Sequence, residues 1–266
     1  MAMSKSNVRY LIFDAESVAE GELVAKLKYP EENLSPDEAV DRYRAELLER
    51  FDSEFIPYTY HIPVSVVVAK VSPAFELLEL VALDEPQFRP QVITEHFWRG
   101  WSGYGRPTLV TFNGRAFDIP LLELAAFRYG IPIPDWLGFG EKFYDQRRNR
   151  YNQAAHFDLQ EFLTNFGASR FAGGLNLAAQ LLGKPGKMAV VGQMVQDMHR
   201  AGKTVEINDY CRCDVLDTYF VFLRAAVMLG HLKPEQEQQL VAQTRTWLEQ
   251  QAEHRKIYET YLSQCP

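Results

Sequence analysis

Four carboxylates and one phenol, scattered over two hundred residues, limit what this chain can fold into more than any other feature, because each sits in a local setting of its own kind. The first stretch reads VRYLIFDAESVAE, in which Val8 to Phe13 form a β-branched and aromatic run that ends in Asp14 and Glu16. Their i, i+2 spacing puts both carboxylates on one face of a strand. The second reads TLVTFNGRAFDIPLLELAAFRYG: a short apolar strand, an Asn-Gly turn, then Asp118 just ahead of a helix with apolar periodicity. The third, VEINDYCRCDVLDTYFVFLRAAV, repeats apolar residues at helical spacing, so Tyr210 and Asp214 are i, i+4 neighbours on one helical face. Acids gathered at one point repel each other and are driven towards protonation unless divalent cations lie between them. Hard oxygen ligands with no His or Cys among them favour Mg²⁺ or Mn²⁺ over zinc. Two such ions roughly 3.5–4 Å apart suit in-line displacement at phosphorus.

On these residues the sequence resembles the DEDD exonucleases of the tyrosine subclass, with an Asp-x-Glu first motif (Asp14-Ala15-Glu16), an Asn-x4-Asp second (Asn113 to Asp118) and a Tyr-x3-Asp third (Tyr210 to Asp214). Within that class it looks most like the predicted 3′-5′ exonucleases related to the proofreading domain of family B DNA polymerases. The likeness continues through Asn149-Arg150-Tyr151, His156-Phe157-Asp158-Leu159 and LLGKPGKM at 181 to 188, and covers roughly Val8 to Arg224. It implies that Asp14, Glu16 and Asp214 hold a first metal, that Asp14 also bridges to a second supported by Asp118 directly or through water, and that Tyr210 orients the attacking water. It further implies removal of nucleoside 5′-monophosphates from the 3′ end of single-stranded or frayed DNA, with Asn113 near the terminal nucleotide. The 266 residues contain no polymerase palm or finger region, so proofreading would be expected in trans, with a polymerase or repair partner that the sequence does not name.

The order of elements agrees. SPDEAVDRYRAELLERF opens with an N-cap Ser35, Pro36 at the first helical position and Glu38 closing a capping box. Ile62 to Val71 and Phe75 to Leu83, split by Ser72-Pro73, read as an antiparallel strand pair. Thr94 to Trp101 reads as a helix, Thr108 to Phe112 as the next strand and Ile119 to Tyr129 as the helix after the second acid. Asp158 reads as the cap of LQEFLTNFG, and Leu175 to Leu182 and Met194 to Arg200 as two more helices. After Gly230 a long polar helix follows, with sparse apolar positions at Leu240, Trp247 and Tyr258, to pack back or to extend. The expected fold is α/β: an RNase H-like mixed sheet flanked by helices. Residues 1–231 would form the exonuclease domain, with a helical insertion at about 20–51, and 232–266 a C-terminal helical extension.

With 47% hydrophobic and 13% aromatic residues the chain can bury a substantial core. No run approaches eighteen apolar residues and Met1 to Phe13 lacks a signal-peptide cleavage site, so a cytoplasmic protein without membrane attachment is expected. Three cysteines, two of them i, i+2 on one helix, suggest neither disulfides nor a zinc site. A formal charge of −7 argues against broad electrostatic coating of duplex DNA and for a local groove in which metals offset the acids.

Substrate contacts are expected from Asn113, which is equally suited to be a turn residue, and from Arg150 in DQRRNRY, where arginines alternate with Tyr144 and Tyr151. Lys184 and Lys187, flanking Pro185-Gly186, could touch the strand's phosphates or simply form a surface turn. His156 reads as a satisfied buried histidine before a site residue, and Asp217 as a neighbour of the site or a solvent-facing acid. Two further classes compete with a DNA exonuclease. One is a 3′-5′ exoribonuclease, since discrimination rests on contacts near the 2′ position. The other is a non-cleaving module that grips nucleic-acid ends, against which all four acids and the tyrosine count. A glycosidase would need two acids facing each other across a sugar at roughly 5–10 Å, not two neighbours on one strand.

Overall fold

In the computed structural model, which describes residues 7–186 and 194–265, the strand carrying the first two acids does not stop at them. β1 spans Tyr10–Ala19 and pairs antiparallel with β2 (His61–Val71) along its whole length, from Tyr10 opposite Val71 to Ala19 opposite His61. Asp14 and Glu16 are therefore mid-strand, where β2 supplies a continuous ladder, and a register shift follows between Glu16 and Ser17. β3 (Leu77–Ala82) pairs antiparallel with β2, whereas β4 (Thr108–Thr111) and β5 (His156–Asp158) run parallel to β1, giving the order β3-β2-β1-β4-β5.

Eleven α-helices surround this sheet among the described residues: α1 (Gly21–Lys28), α2 (Pro36–Phe51), α3 (Pro90–Gly103), α4 (Asp118–Tyr129), α5 (Pro134–Leu137), α6 (Leu159–Leu163), α7 (Gly174–Gln180), α8 (Val195–Arg200), α9 (Thr204–Met228), α10 (Pro234–Ala252) and α11 (Lys256–Ser263). The mixed sheet with helices on both faces is the expected RNase H-like α/β fold.

Alternation along β1 decides what each face meets. Tyr10 packs on Phe222 of α9 with ring centroids 4.9 Å apart, while Phe13 packs on Phe97 of α3 at 4.7 Å. Residues of Tyr10's parity, Asp14 and Glu16 among them, thus share the α9 face, and Leu11, Phe13 and Ala15 share the other. Fully burying side chains such as Ile12 and Phe13 contributes about 1.5–3 kcal/mol each. α9 is buried on nearly every face, because the sheet covers one side and α10 and α11 lie against others. Leu240, Leu248, Tyr258 and Tyr261 of these last two helices belong to the main core, so residues after Gly230 pack back, as two helices broken near Glu253. α1 and α2 enclose a small cluster of their own around Val24, Ala39, Val40 and Tyr43. The capping box is present: Ser35 Oγ accepts from the Glu38 amide while the Glu38 carboxylate accepts from the Ser35 amide.

Candidate active site

β1 and α9 bring the first and third motifs together. One oxygen from each of Asp14, Glu16 and Asp214 lies within 4.8 Å of the others, on residues two hundred positions apart. Tyr210, one turn before Asp214, hydrogen-bonds the Asp214 carboxylate; burial and the charges of Asp214, Glu16 and Asp14 push its phenol far up, so it stays protonated. The Cys211 thiol, buried on the next position of the helix, donates to the Asp14 carbonyl at 3.4 Å and is itself driven up by burial and the same acids. This makes Cys211 part of the packing between α9 and β1.

Asp118 joins the group from the other side. β4 pairs with β1 only from Tyr10 to Ile12. Beyond that point the Ala15 amide, between the two acids of the first motif, donates instead to Asp118 Oδ1 at 2.9 Å. Asp118 is buried at the start of α4. Burial pushes its carboxyl up to about 7, with the Ala15 amide pulling the other way and the charges of Asp158 and Asp214 adding to the rise.

The turn ahead of Asp118 is held by Asp158, a residue read from sequence only as a helix cap. It is that cap, accepting from the Gln160 and Glu161 amides, and its carboxylate also accepts from the amides of Asn113, at 3.1 Å, and Arg115, at 2.9 Å. Asp158 closes β5, a three-residue strand absent from the expected pattern because so short a run carries no usable periodicity. Asn113 has the left-handed backbone of a turn residue, φ 66°, and its side-chain oxygen accepts from Gln160 at 3.1 Å. Gly114 admits no side chain, since a Cβ would stand 2.5 Å from Thr111.

The remaining candidates are tied into the protein. Arg150 pairs with Glu161 at 2.5 Å, and Arg148 forms a two-pronged pair with Glu123. Lys184 sits over the Phe220 ring, 4.3 Å from its centroid, at the rim of a hollow of about 690 Å³ that also has Arg224 and Arg245 in its wall. Lys187 lies outside the described residues. His156 is fully buried, 2.8 Å from Thr111 Oγ1, and burial lowers its pKa well below the usual value. Asp217 is fully buried, not solvent-facing, because α11 covers it.

Three carboxylates in one cluster with a fourth buried acid beside them could hold a divalent cation, and the all-oxygen donors present fit one; Tyr210, kept neutral by burial and by their charge, lies alongside. Residues 53–265 match the sequence profile of a family described as predicted 3′-5′ exonuclease related to the exonuclease domain of PolB. The chain belongs to that family. The matched span takes in Asp118, Tyr210 and Asp214 and begins after Asp14 and Glu16, which the fold, not the profile, brings to the site. Among solved structures, the family B DNA polymerase of the hyperthermophilic archaeon Pyrobaculum calidifontis is similar to this member of the family over 83% of its length, with a TM-score of 0.52 and 14% identity. The match spans about a quarter (24%) of the polymerase chain, and at that identity the likeness speaks for the fold alone. No curated protein matches. No helix among the described residues is long and apolar enough to cross a membrane.

Proposed function

We propose that this chain is a metal-dependent 3′-5′ exonuclease that removes nucleoside 5′-monophosphates from single-stranded or frayed DNA ends. The observation that carries the reading is the convergence of Asp14, Glu16 and Asp214 to within 4.8 Å, with Tyr210 bonded to Asp214 and Asp118 on the Ala15 amide. Asp14, Glu16 and Asp214 would hold one ion, and Asp14 and Asp118 a second. Mg²⁺ or Mn²⁺, when bound, supplies the positive charge that acidifies water near neutral pH and offsets charge developing on the phosphate.

The protein's own groups do the rest. The acids bind the cations and are kept ionised by them, Asp118 included. Tyr210, protonated throughout, offers a hydroxyl that orients water without surrendering its proton. The Asn113 turn, fixed by Asp158, leads into Asp118, and a terminal nucleotide would lie beside it. Arg150 and Lys184 can meet phosphates upstream, Arg150 by exchanging Glu161 for the strand; Lys187 is assigned the same role from its place in the motif.

The test is digestion of matched DNA and RNA single strands, each linear and closed-circular, with Mg²⁺ or Mn²⁺. Stepwise loss from linear 3′ ends with circles untouched, faster on DNA, is expected. Cutting of circles at the linear rate would make the enzyme an endonuclease, and faster digestion of RNA would make it an exoribonuclease.

A further inference from the structure

α11 grips α9 at both ends of the short segment that carries Tyr210 and Asp214. Tyr261 donates to Asp217 Oδ1 at 2.6 Å, and both residues are fully buried. Arg255, the residue that caps α11, donates to Asp209 at 3.1 Å and to Glu85 at 2.6 Å, and Glu85 also takes Arg212 of α9 at 2.7 Å. Asp209, Cys213 and Asp217 follow one another at four-residue steps and form one face of the helix. Tyr210 and Asp214 form the neighbouring face, about 100° round. One face is thus held by α11 while the next is aimed at Asp14 and Glu16.

Apolar packing is non-directional and leaves a helix some freedom to roll. On the sheet side, the Ser65 hydroxyl bonds Asn208 at 2.6 Å, at one end of the segment, and within it the Cys211 thiol makes only a long, weak bond of 3.4 Å to the Asp14 carbonyl. A roll of about 20° moves a side-chain tip at the helix surface by about 2 Å, and misplacement by about 1 Å can cost on the order of 100-fold in rate.

We propose that α11 is a positioning clamp: through Tyr261–Asp217 and Arg255–Asp209 it sets the height and rotation of α9 that direct Tyr210 and Asp214 at the first-motif acids. The family match runs to residue 265, so α11 lies inside the span the family shares. The catalytic consequence rests on the exonuclease reading; the mechanical one does not.

The experiment compares the full-length wild type with Tyr261→Phe, Arg255→Met and the double variant, and with Leu240→Ala as a core-destabilised control that leaves the 209–217 contacts in place. Each is studied at a fixed interval below its own melting temperature. The double variant is expected to lose kcat by about tenfold or more with KM within about twofold, and to exchange amide protons across 209–217 faster than wild type. Leu240→Ala should keep both kcat and the exchange of that segment. If the double variant does not fold, the two single variants carry the comparison. Wild-type kcat and exchange in the Tyr261 and Arg255 variants, or an equal kcat loss in Leu240→Ala, overturns the clamp. If the wild type cuts nothing, the exonuclease reading fails, and the exchange of 209–217 alone decides the clamp.

Discussion

Burial holds the Asp118 carboxyl at about 7, whereas in the unfolded chain it titrates near the ordinary carboxylate value of about 3.9. Between about pH 4 and 7 the folded protein keeps a proton that the unfolded chain has released, so stability falls as pH rises through that window and stays lower above it. In EDTA, the melting temperature should therefore drop from pH 5 to pH 8, Asp118→Asn should flatten that drop, and added Mn²⁺ should recover stability at pH 8. A drop unchanged in Asp118→Asn would place its origin in Asp217, which burial also holds at about 7. For Tyr210 the decisive change is Tyr210→Phe, which keeps the ring and deletes the hydroxyl that bonds Asp214. Single-turnover cleavage should slow by roughly 10–1000-fold with substrate binding in Ca²⁺ nearly unchanged; a wild-type rate would reduce Tyr210 to packing. At this scale the sequence was highly legible. The i, i+2 and i, i+4 spacings of Asp14, Glu16, Tyr210 and Asp214 describe the faces they occupy, because strand and helix periods are local properties. That Cys211 would touch Asp14, or Asp217 meet Tyr261, was not legible, since contacts between residues far apart in sequence depend on how two elements are placed.

Among the elements, the loop between β4 and α4 is the one the site leans on most. Its Asn113 and Arg115 amides both end on the Asp158 carboxylate, which also caps α6. Asp158→Ala removes the cap and leaves the loop amides without that acceptor, and is expected to cost about 1–3 kcal/mol in urea denaturation and to lower cleavage as Asp118 loses its support. Unchanged stability would mean that water replaces the carboxylate at no cost. The long elements were readable from pattern: β2, β3, α2, α4 and α9 lie where apolar alternation or capping put them. β1 runs past the acids because its partner strand continues, which a charged pair in the sequence obscures. The break between α10 and α11 falls in a uniformly polar stretch where local composition favours helix throughout.

Over the whole molecule the charge is −7, and Arg148 and Arg150 of the DQRRNRY stretch are already paired, to Glu123 and Glu161. Affinity for single-stranded DNA in Ca²⁺ should fall only gently with salt, with a log–log slope shallower than about −2, or roughly three phosphate contacts at −0.7 each. A steep slope would reveal a broad basic surface, against the net charge of −7. The central claim is that four acids assembled by β1, α4 and α9 act as one metal-dependent centre, and it is tested most directly by single-turnover release of the 3′ nucleotide from a 5′-labelled single strand. Wild type, Asp14→Ala, Asp118→Ala and Asp214→Ala are compared in Mg²⁺, in EDTA and after Mg²⁺ is restored, with folding checked by circular dichroism. The account predicts 5′-monophosphate release by the wild type that EDTA abolishes and Mg²⁺ restores, and no measurable release by any of the three folded variants. Cleavage that persists in EDTA, or a folded Asp14→Ala or Asp214→Ala variant that cuts at the wild-type rate, would contradict it.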